Sequence, residues 1–272
     1  MLNHPAIDPI AISLGPLQIH WYGISYLLAF ATAWYLARRN ARRPWSPLGE
    51  NQVEDLIVYG AWGVIAGGRL GYMFFYNTDK WLADPAMLLR IWEGGMSFHG
   101  GLTGVAIAIF IYARKHRVSF LTLTDFAVPL VPTGLFFGRM GNFIGQELYG
   151  RPTDVPWGML FPSDPTQLPR HPSQLYEALL EGLVLFLIIS WFARKPRLAG
   201  EITGLFLVLY GCFRFMVEFV REPDAQFAGQ TAMIESLNWM TRGQALCIPM
   251  VLLGLWFMRK TMQRLMAKSA TN

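Results

Sequence analysis

Charge is what this 272-residue chain has least of: Asp, Glu, Lys and Arg make up 15% of it, against about 25% in an ordinary soluble domain. A water-soluble fold of this length exposes more charge than that, so the deficit makes lipid part of the solvent. Cysteine is scarce too. Cys212 and Cys247 are the two present, both inside apolar runs, which excludes a disulfide framework and a paired-cysteine metal site. Each reads as a small buried apolar residue, and neither has the basic neighbours of an activated thiol. No Lys or Arg precedes Arg38, so a cleaved signal sequence, which needs a positive n-region, is not expected. The first apolar run is read as a retained helix. Nothing in the sequence matches a Walker glycine loop, a spaced His/Cys/Asp/Glu ligand set or an ordered Ser-His-Asp arrangement. No metal and no cofactor are expected. The absence of a low-complexity tract and of two similar halves weighs against a repeat-built transporter.

What is abundant is hydrophobicity, at 53% of residues, gathered into runs that approach the roughly 20 residues needed to cross a bilayer. The runs predict seven spans, at 19–37, 53–75, 97–113, 119–140, 173–193, 201–220 and 243–258. Basic residues mark the ends of alternate spans: Arg38, Arg39, Arg42 and Arg43; Arg114, Lys115 and Arg117; Arg194, Lys195 and Arg197; Arg259, Lys260, Arg264 and Lys268. These are 14 of the 23 lysines and arginines, and they follow spans one, three, five and seven. All four ends lie on one side if the spans number seven. The positive-inside rule makes that side cytoplasmic, with the N-terminus outside and the C-terminus inside. The same clustering turns the net charge of +5 into a topology signal rather than a nucleic-acid stripe. The expected fold is an all-α integral membrane protein, one domain over 1–272, with seven transmembrane helices. An outward-facing arm is expected at 76–96, with Trp81, Pro85 and Trp92. A small irregular head is expected at 145–172, with Pro152, Pro156, Pro162, Pro165, Pro169 and Pro172. The connection 222–242 carries Pro223 and Trp239.

Small residues repeat every four positions at Gly63, Gly67 and Gly71, at Gly100 and Gly104, and at Gly134 and Gly138, a spacing that lets helices approach closely in lipid. Packing is the main reading of these rows. A functional one applies to Gly100, Gly101, Gly141 and Gly150, which adjoin polar residues. An ionisable group inside a span costs at least about 2.5–3.5 kcal/mol, so each needs a partner or a wet cavity. Arg69, His99 and Arg139 fall in or beside spans two, three and four. Span six carries Tyr210, Arg214, Glu218 and Arg221 at i, i+4, i+8 and i+11, one helix face. Glu218 can pair with either arginine. Two arginines sharing one carboxylate, with Arg139 at similar depth, leave a positive surplus that suits phosphate. Arg69 reads equally as support or as function. His99 reads as a hydrogen-bonded structural residue or a catalytic one, Asn142 as a headgroup ligand or a helix-end partner, and Tyr22 as an interfacial anchor. His20, His116 and His171 carry no functional assignment.

Four ordered segments then carry a resemblance over nearly the whole length. They are Gly94-Gly95-Met96-Ser97-Phe98-His99-Gly100-Gly101-Leu102; Asp125 through Pro132 with Gly138-Arg139-Met140-Gly141-Asn142-Phe143 and Glu147-Leu148-Tyr149-Gly150-Arg151; Arg170-His171-Pro172-Ser173-Gln174-Leu175-Tyr176-Glu177; and Tyr210-Gly211-Cys212-Phe213-Arg214 on to Glu218 and Arg221-Glu222-Pro223-Asp224. The chain resembles the prolipoprotein diacylglyceryl transferase family. That resemblance implies a bacterial inner-membrane enzyme with phosphatidylglycerol as donor and the lipobox cysteine of a prolipoprotein signal peptide as acceptor. The products are a thioether-linked diacylglyceryl protein and glycerol 1-phosphate. It implies His99 as the base and Arg139 and Arg214 as catalytic residues on the phosphate. Tyr22, Asn142, Glu147, Gly150, Tyr210, Glu218 and Arg221, with Arg139, are implied substrate-binding residues. Membrane lipid and the two substrates are the expected partners, and nucleic acid is not. The rival classes are a lipid channel lined by the arginines, a phosphatidylglycerol transferase with a small-molecule acceptor, and a scaffold that binds anionic lipid.

Overall fold

A computed structural model describes residues 1–5, 7–15, 17–90, 94–222 and 240–270; Trp92, Pro223, Asp224 and Trp239 lie outside them. The elements in chain order are β1 (Leu2–Asn3), β2 (Ile10–Leu14), β3 (Leu17–His20), α1 (Trp21–Ala41), α2 (Glu50–Tyr76), α3 (Thr78–Ala83), a 3₁₀ turn (Pro85–Leu89), α4 (Phe98–His116), α5 (Phe120–Ala127), α6 (Val131–Ile144), β4 (Met159–Leu160), α7 (Ser173–Glu177), a π-helical stretch (Ala178–Val184), α8 (Leu185–Phe192), α9 (Glu201–Val217) and α10 (Arg242–Ala270). The protein is mostly helical, and each of the seven predicted apolar stretches coincides with helix. Two helical stretches, Phe120–Ile144 and Ser173–Phe192, are each long and apolar enough to cross a membrane. The all-α expectation needs one amendment. β1 pairs in parallel with β4, and β2 forms an antiparallel ribbon with β3. Strands this short bury too little to leave a period-2 signature in sequence.

The chain divides into two compact units, Met1–Leu36 with Ala127–Asn272, and Ala37–Phe126. The second unit is built on the α2–α4 pair. Gly63 and Gly67 of α2 lie against Gly100 and Gly104 of α4 so closely that a Cβ on Gly63 would sit 2.7 Å from the Gly104 carbonyl oxygen, and one on Gly71 2.7 Å from Gly100 Cα. Backbone meets backbone here, as the glycine spacing predicts. At the far end of the pair the Tyr112 hydroxyl donates to the Gln52 carbonyl (2.7 Å), and Glu50 takes ion pairs from Arg38 (3.1 Å) and Arg42 (2.9 Å).

In the first unit, α9 and α10 approach through another glycine pair, Gly204 against the Gly254 carbonyl at 2.9 Å for a Cβ. Leu185, Ile189, Ala193, Ile202 and Phe206 form the apolar core beside α9. Gly182, within the π-helical stretch, lies where a Cβ would meet Phe136 at 2.7 Å, so α6 and the π-helical stretch cross at close range. Gly134 and Gly138 do not follow the packing expectation: among the described residues nothing lies within 4 Å of a Cβ on either. Cys212 also departs from expectation, being exposed, while Cys247 is buried. Two residues along a helix turn the side chain by about 200°, so the face that presents Tyr210 and Arg214 inward turns Cys212 outward.

The head is held by polar contacts. His4 reaches the Phe143 carbonyl (2.9 Å) and its ring lies tilted against those of Phe143 and Phe161, at 4.8 and 5.3 Å between centroids. Arg170 binds Asp164 (2.7 Å) and Glu222 (3.1 Å), and its guanidinium lies 5.2 Å from the Tyr149 ring centroid.

Candidate active site

Three guanidiniums of the first unit converge on one buried carboxylate. Arg139, from α6, places Nε 2.5 Å from Glu177 Oε2. Arg214, from α9, places Nη1 3.5 Å from the same oxygen. Arg221 places Nε 3.7 Å from Glu177 Oε1. Arg214 also bonds Glu218 at 2.7 Å and stands 3.8 Å from Glu181, and Arg221 stands 3.9 Å from Glu218. Glu177 and Glu181 are wholly buried and Glu218 nearly so. The Thr241 hydroxyl donates to Glu218 Oε1 at 3.0 Å, which turns the other oxygen toward Arg214.

The cluster overturns the expected positive surplus. Three arginines face three glutamates, because the π-helical segment and α7 bring in two carboxylates that the span-six count left out. Glu177 and Glu181 are four residues apart, and both point inward where the helix widens. π-helical turns are rare and concentrate at functional sites. The signal was present in sequence: two acids at i, i+4 in an apolar run are themselves intramembrane charges in search of partners. The one-face reading of span six holds for Tyr210, Arg214 and Glu218 and fails for Arg221. Helix α9 ends at Val217. Arg221 joins the cluster because the chain turns and pairs with Gly150, whose amide in turn donates to the His171 carbonyl (2.8 Å).

The remaining first-unit candidates lie around α6. Asn142 is buried, and its amide stands 3.4 Å from Glu147 Oε2. Glu147 itself is exposed. Tyr22 is exposed and shares a 3.2 Å hydroxyl contact with Tyr26; its ring lies where a Cβ on Gly141 would meet it, at 3.1 Å. Gly150 has no room for a Cβ between Val220 and His171. Tyr210 stacks on Phe206, 5.7 Å between centroids. The structure therefore gathers Arg139, Arg214, Glu218 and Arg221 into one cluster, with Tyr22, Asn142, Glu147, Gly150 and Tyr210 on the same unit. His99 belongs to the other unit. It occupies the first turn of α4, exposed, after the cap residue Ser97, whose hydroxyl accepts from the Gly100 amide (3.2 Å). Among the described residues no group of three or more His, Cys, Asp or Glu could hold a metal ion.

Apolar helices that carry a buried arginine–glutamate cluster mark a membrane protein. The model of the prolipoprotein diacylglyceryl transferase family matches residues 9–260. A protein of Methylococcus capsulatus named phosphatidylglycerol–prolipoprotein diacylglyceryl transferase is 56% identical over 258 residues, 94% of this chain and 95% of that protein. Proteins of the same name from Nitratidesulfovibrio vulgaris and Teredinibacter turnerae are 52% identical over 258 residues and 53% identical over 264, with 95% and 93% of this chain and 95% and 90% of those proteins covered. The chain belongs to the prolipoprotein diacylglyceryl transferase family, which is a family of bacterial membrane enzymes.

Proposed function

We propose that this chain transfers the diacylglyceryl group of phosphatidylglycerol to the lipobox cysteine thiol of a prolipoprotein, with Arg139, Arg214 and Arg221 holding the headgroup phosphate. The convergence of three guanidiniums on Glu177, at 2.5, 3.5 and 3.7 Å, carries this reading. The carboxylate held there supports the reading, since all three heads face one oxyanion. The substrate sulfur attacks the diacylglyceryl carbon that bears the phosphate oxygen. The S–C bond forms as the C–O bond breaks, and the bonding pair stays on the departing phosphate as glycerol 1-phosphate. That phosphate gains negative charge as it leaves, and donors already in place stabilise charge where it develops. The thiol, with an ordinary pKa near 8.5, must give up its proton, and His99 is assigned to accept it. Glu218, fixed by Thr241, orients Arg214. Tyr22, Asn142, Glu147, Gly150 and Tyr210 shape the headgroup site. The enzyme needs no thiol of its own, and the reaction balances without a cofactor. In this reading the chain crosses the inner membrane seven times, N-terminus periplasmic and C-terminus cytoplasmic, with the arm (76–96) and head (145–172) outside.

The test is Arg139→Ala beside Arg139→Lys in membranes. Removing one electrostatic donor of this kind lowers turnover about 10²–10³-fold. Glycerol 1-phosphate release and the mass gain of a lipobox peptide are expected to fall by that amount in Arg139→Ala, while the protein still accumulates. Normal phosphatidylglycerol consumption in that variant would defeat the phosphate assignment.

A further inference from the structure

We propose that Arg69 is a positioning residue for His99: it clamps the backbone that leads into α4 and so fixes where the imidazole stands. The proposal rests on the reading of His99 as the base. Arg69 is almost wholly buried in α2. A guanidinium has five N–H donors and no acceptor, and here they are directed at five main-chain carbonyls. Nε donates to Leu88 (3.2 Å). Nη1 donates to Gly94 and to Gly95 (3.2 Å). Nη2 donates to Met87 and to Arg90 (2.8 Å). Three of these carbonyls, of Met87, Leu88 and Arg90, stand at the C-terminal end of the 3₁₀ turn, where helical carbonyls run short of partners; that of Met87 also accepts the Arg90 amide (3.2 Å). The other two belong to glycines at φ +77° and +83°, a left-handed turn that aims both oxygens at the same guanidinium and that a larger residue would strain.

The clamp acts on a short lever. Two residues after Gly95, the Ser97 amide donates to the Gly68 carbonyl (2.9 Å), immediately beside Arg69 in α2. Three further on, Gly100 is seated against Gly67 and Gly71. His99 is thus suspended between two anchors on the same helix, while its own ring is exposed and its carbonyl accepts from Thr103 (2.8 Å). The backbone at 94–100 is what sets the imidazole's place, and Arg69 holds one end of that backbone. Lysine, a point charge with three donors, cannot serve five carbonyls.

A double-mutant cycle in the full-length enzyme tests this, with Arg69→Ala, Arg69→Lys, His99→Gln and the combinations. It is read as kcat and KM for phosphatidylglycerol from pH 6 to 9, with thermal unfolding alongside. Misplacing a catalytic group by about 1 Å lowers rate on the order of 10²-fold. Arg69→Ala is expected to lower kcat by that order, with KM changed less than about twofold, and to have no further effect in the His99→Gln background. Arg69→Lys is expected to fall between. If Arg69→Ala does not accumulate, the cycle runs on Arg69→Lys, and wild-type kcat in that variant overturns the proposal. Equal losses from Arg69→Ala with and without His99 overturn it as well, leaving His99 as base. Near-normal activity in His99→Gln alone removes the base assignment and this inference with it.

Discussion

Glu177 is the residue on which the cluster turns. It touches three arginines, so its removal leaves three cations facing two carboxylates. Breaking a buried pair from one side costs roughly 3–5 kcal/mol, because it strands the other charge. For Glu177→Gln, which keeps the shape and deletes the charge, two effects oppose each other. The cluster becomes net positive and should hold an anionic headgroup more tightly, and the guanidiniums lose the hub that fixes their directions. A fall in kcat of about 10–10²-fold together with a lower KM for phosphatidylglycerol is therefore expected, the pattern of a lost transition-state placement with strengthened ground-state binding. Steady-state kinetics on reconstituted enzyme would show it, and wild-type values for both constants would remove Glu177 from the site. Residue chemistry was legible where it repeated along one helix: Tyr210, Arg214 and Glu218 could be placed together from spacing alone. Which charges pair was illegible where the partners come from distant sequence. Glu177 and Glu181 stand in a different span, and Arg221 arrives by a turn that helical spacing cannot describe.

Helices were the most legible elements, because a long apolar run has few other ways to satisfy its backbone in lipid. The seams were legible in part. Gly63, Gly67, Gly100 and Gly104 do bring α2 and α4 together, whereas Gly134 and Gly138 have the same spacing and, among the described residues, face open space. Spacing reports that a close approach is possible; only the neighbouring helix makes it occur. The head at 145–172 was legible only as proline-rich and irregular, since its order comes from polar contacts between residues far apart in sequence. Those contacts give it a pH response. Burial pushes the Asp164 carboxyl up, but hydrogen bonds from Arg170 and Thr166 outweigh it and hold the group below the usual carboxylate range. Asp164 thus stabilises the head above about pH 4, and that contribution is lost as pH falls through its lowered value. Burial lowers the His171 ring below its ordinary value, so the folded head prefers it neutral and weakens as pH falls below about 6.5. The two have the same sign. Hydrogen-exchange protection factors of amides in 145–172 should fall first below about pH 6.5, as His171 charges, and again below about pH 4, as Asp164 takes up its proton, and His171→Gln should remove the first fall. Protection that rises on acidification would contradict both assignments. Asp164→Ala should destabilise the head by less than the roughly 3–5 kcal/mol of a fully stranded buried charge, since Arg170 keeps Glu222 as a partner.

Orientation belongs to the whole molecule. Helix α2 has 27 residues, about 40 Å at 1.5 Å per residue, which exceeds the roughly 30 Å of bilayer hydrocarbon. In the proposed seven-span arrangement both its ends then need polar surroundings, and they differ. Near its start stand Glu50, Arg38 and Arg42 in ion pairs. Beside it is the end of α4, where Lys115 reaches Tyr59 and His116 reaches Gln52, with Arg114 and Arg117 adjoining. Near the other end of α2, Arg69 is enclosed by carbonyls. Most of the lysine and arginine of this unit is thus gathered at one end of its helix pair; Lys80 and Arg90, the latter paired with Asp84, lie beyond the other. Topology follows lysine and arginine counts, and acidic partners such as Glu50 contribute little to the rule. The ion pairs therefore do not cancel the signal. Green fluorescent protein fused after residue 44, 118, 196 or 262 should fluoresce, and alkaline phosphatase fused after residue 84 or 165 should be active. The decisive position is 118, since it follows the third of seven proposed spans. Phosphatase activity there would mean that the helix pair enters from the opposite side, and it would put the His99 turn on the cytoplasmic face, away from an acceptor thiol presented outside.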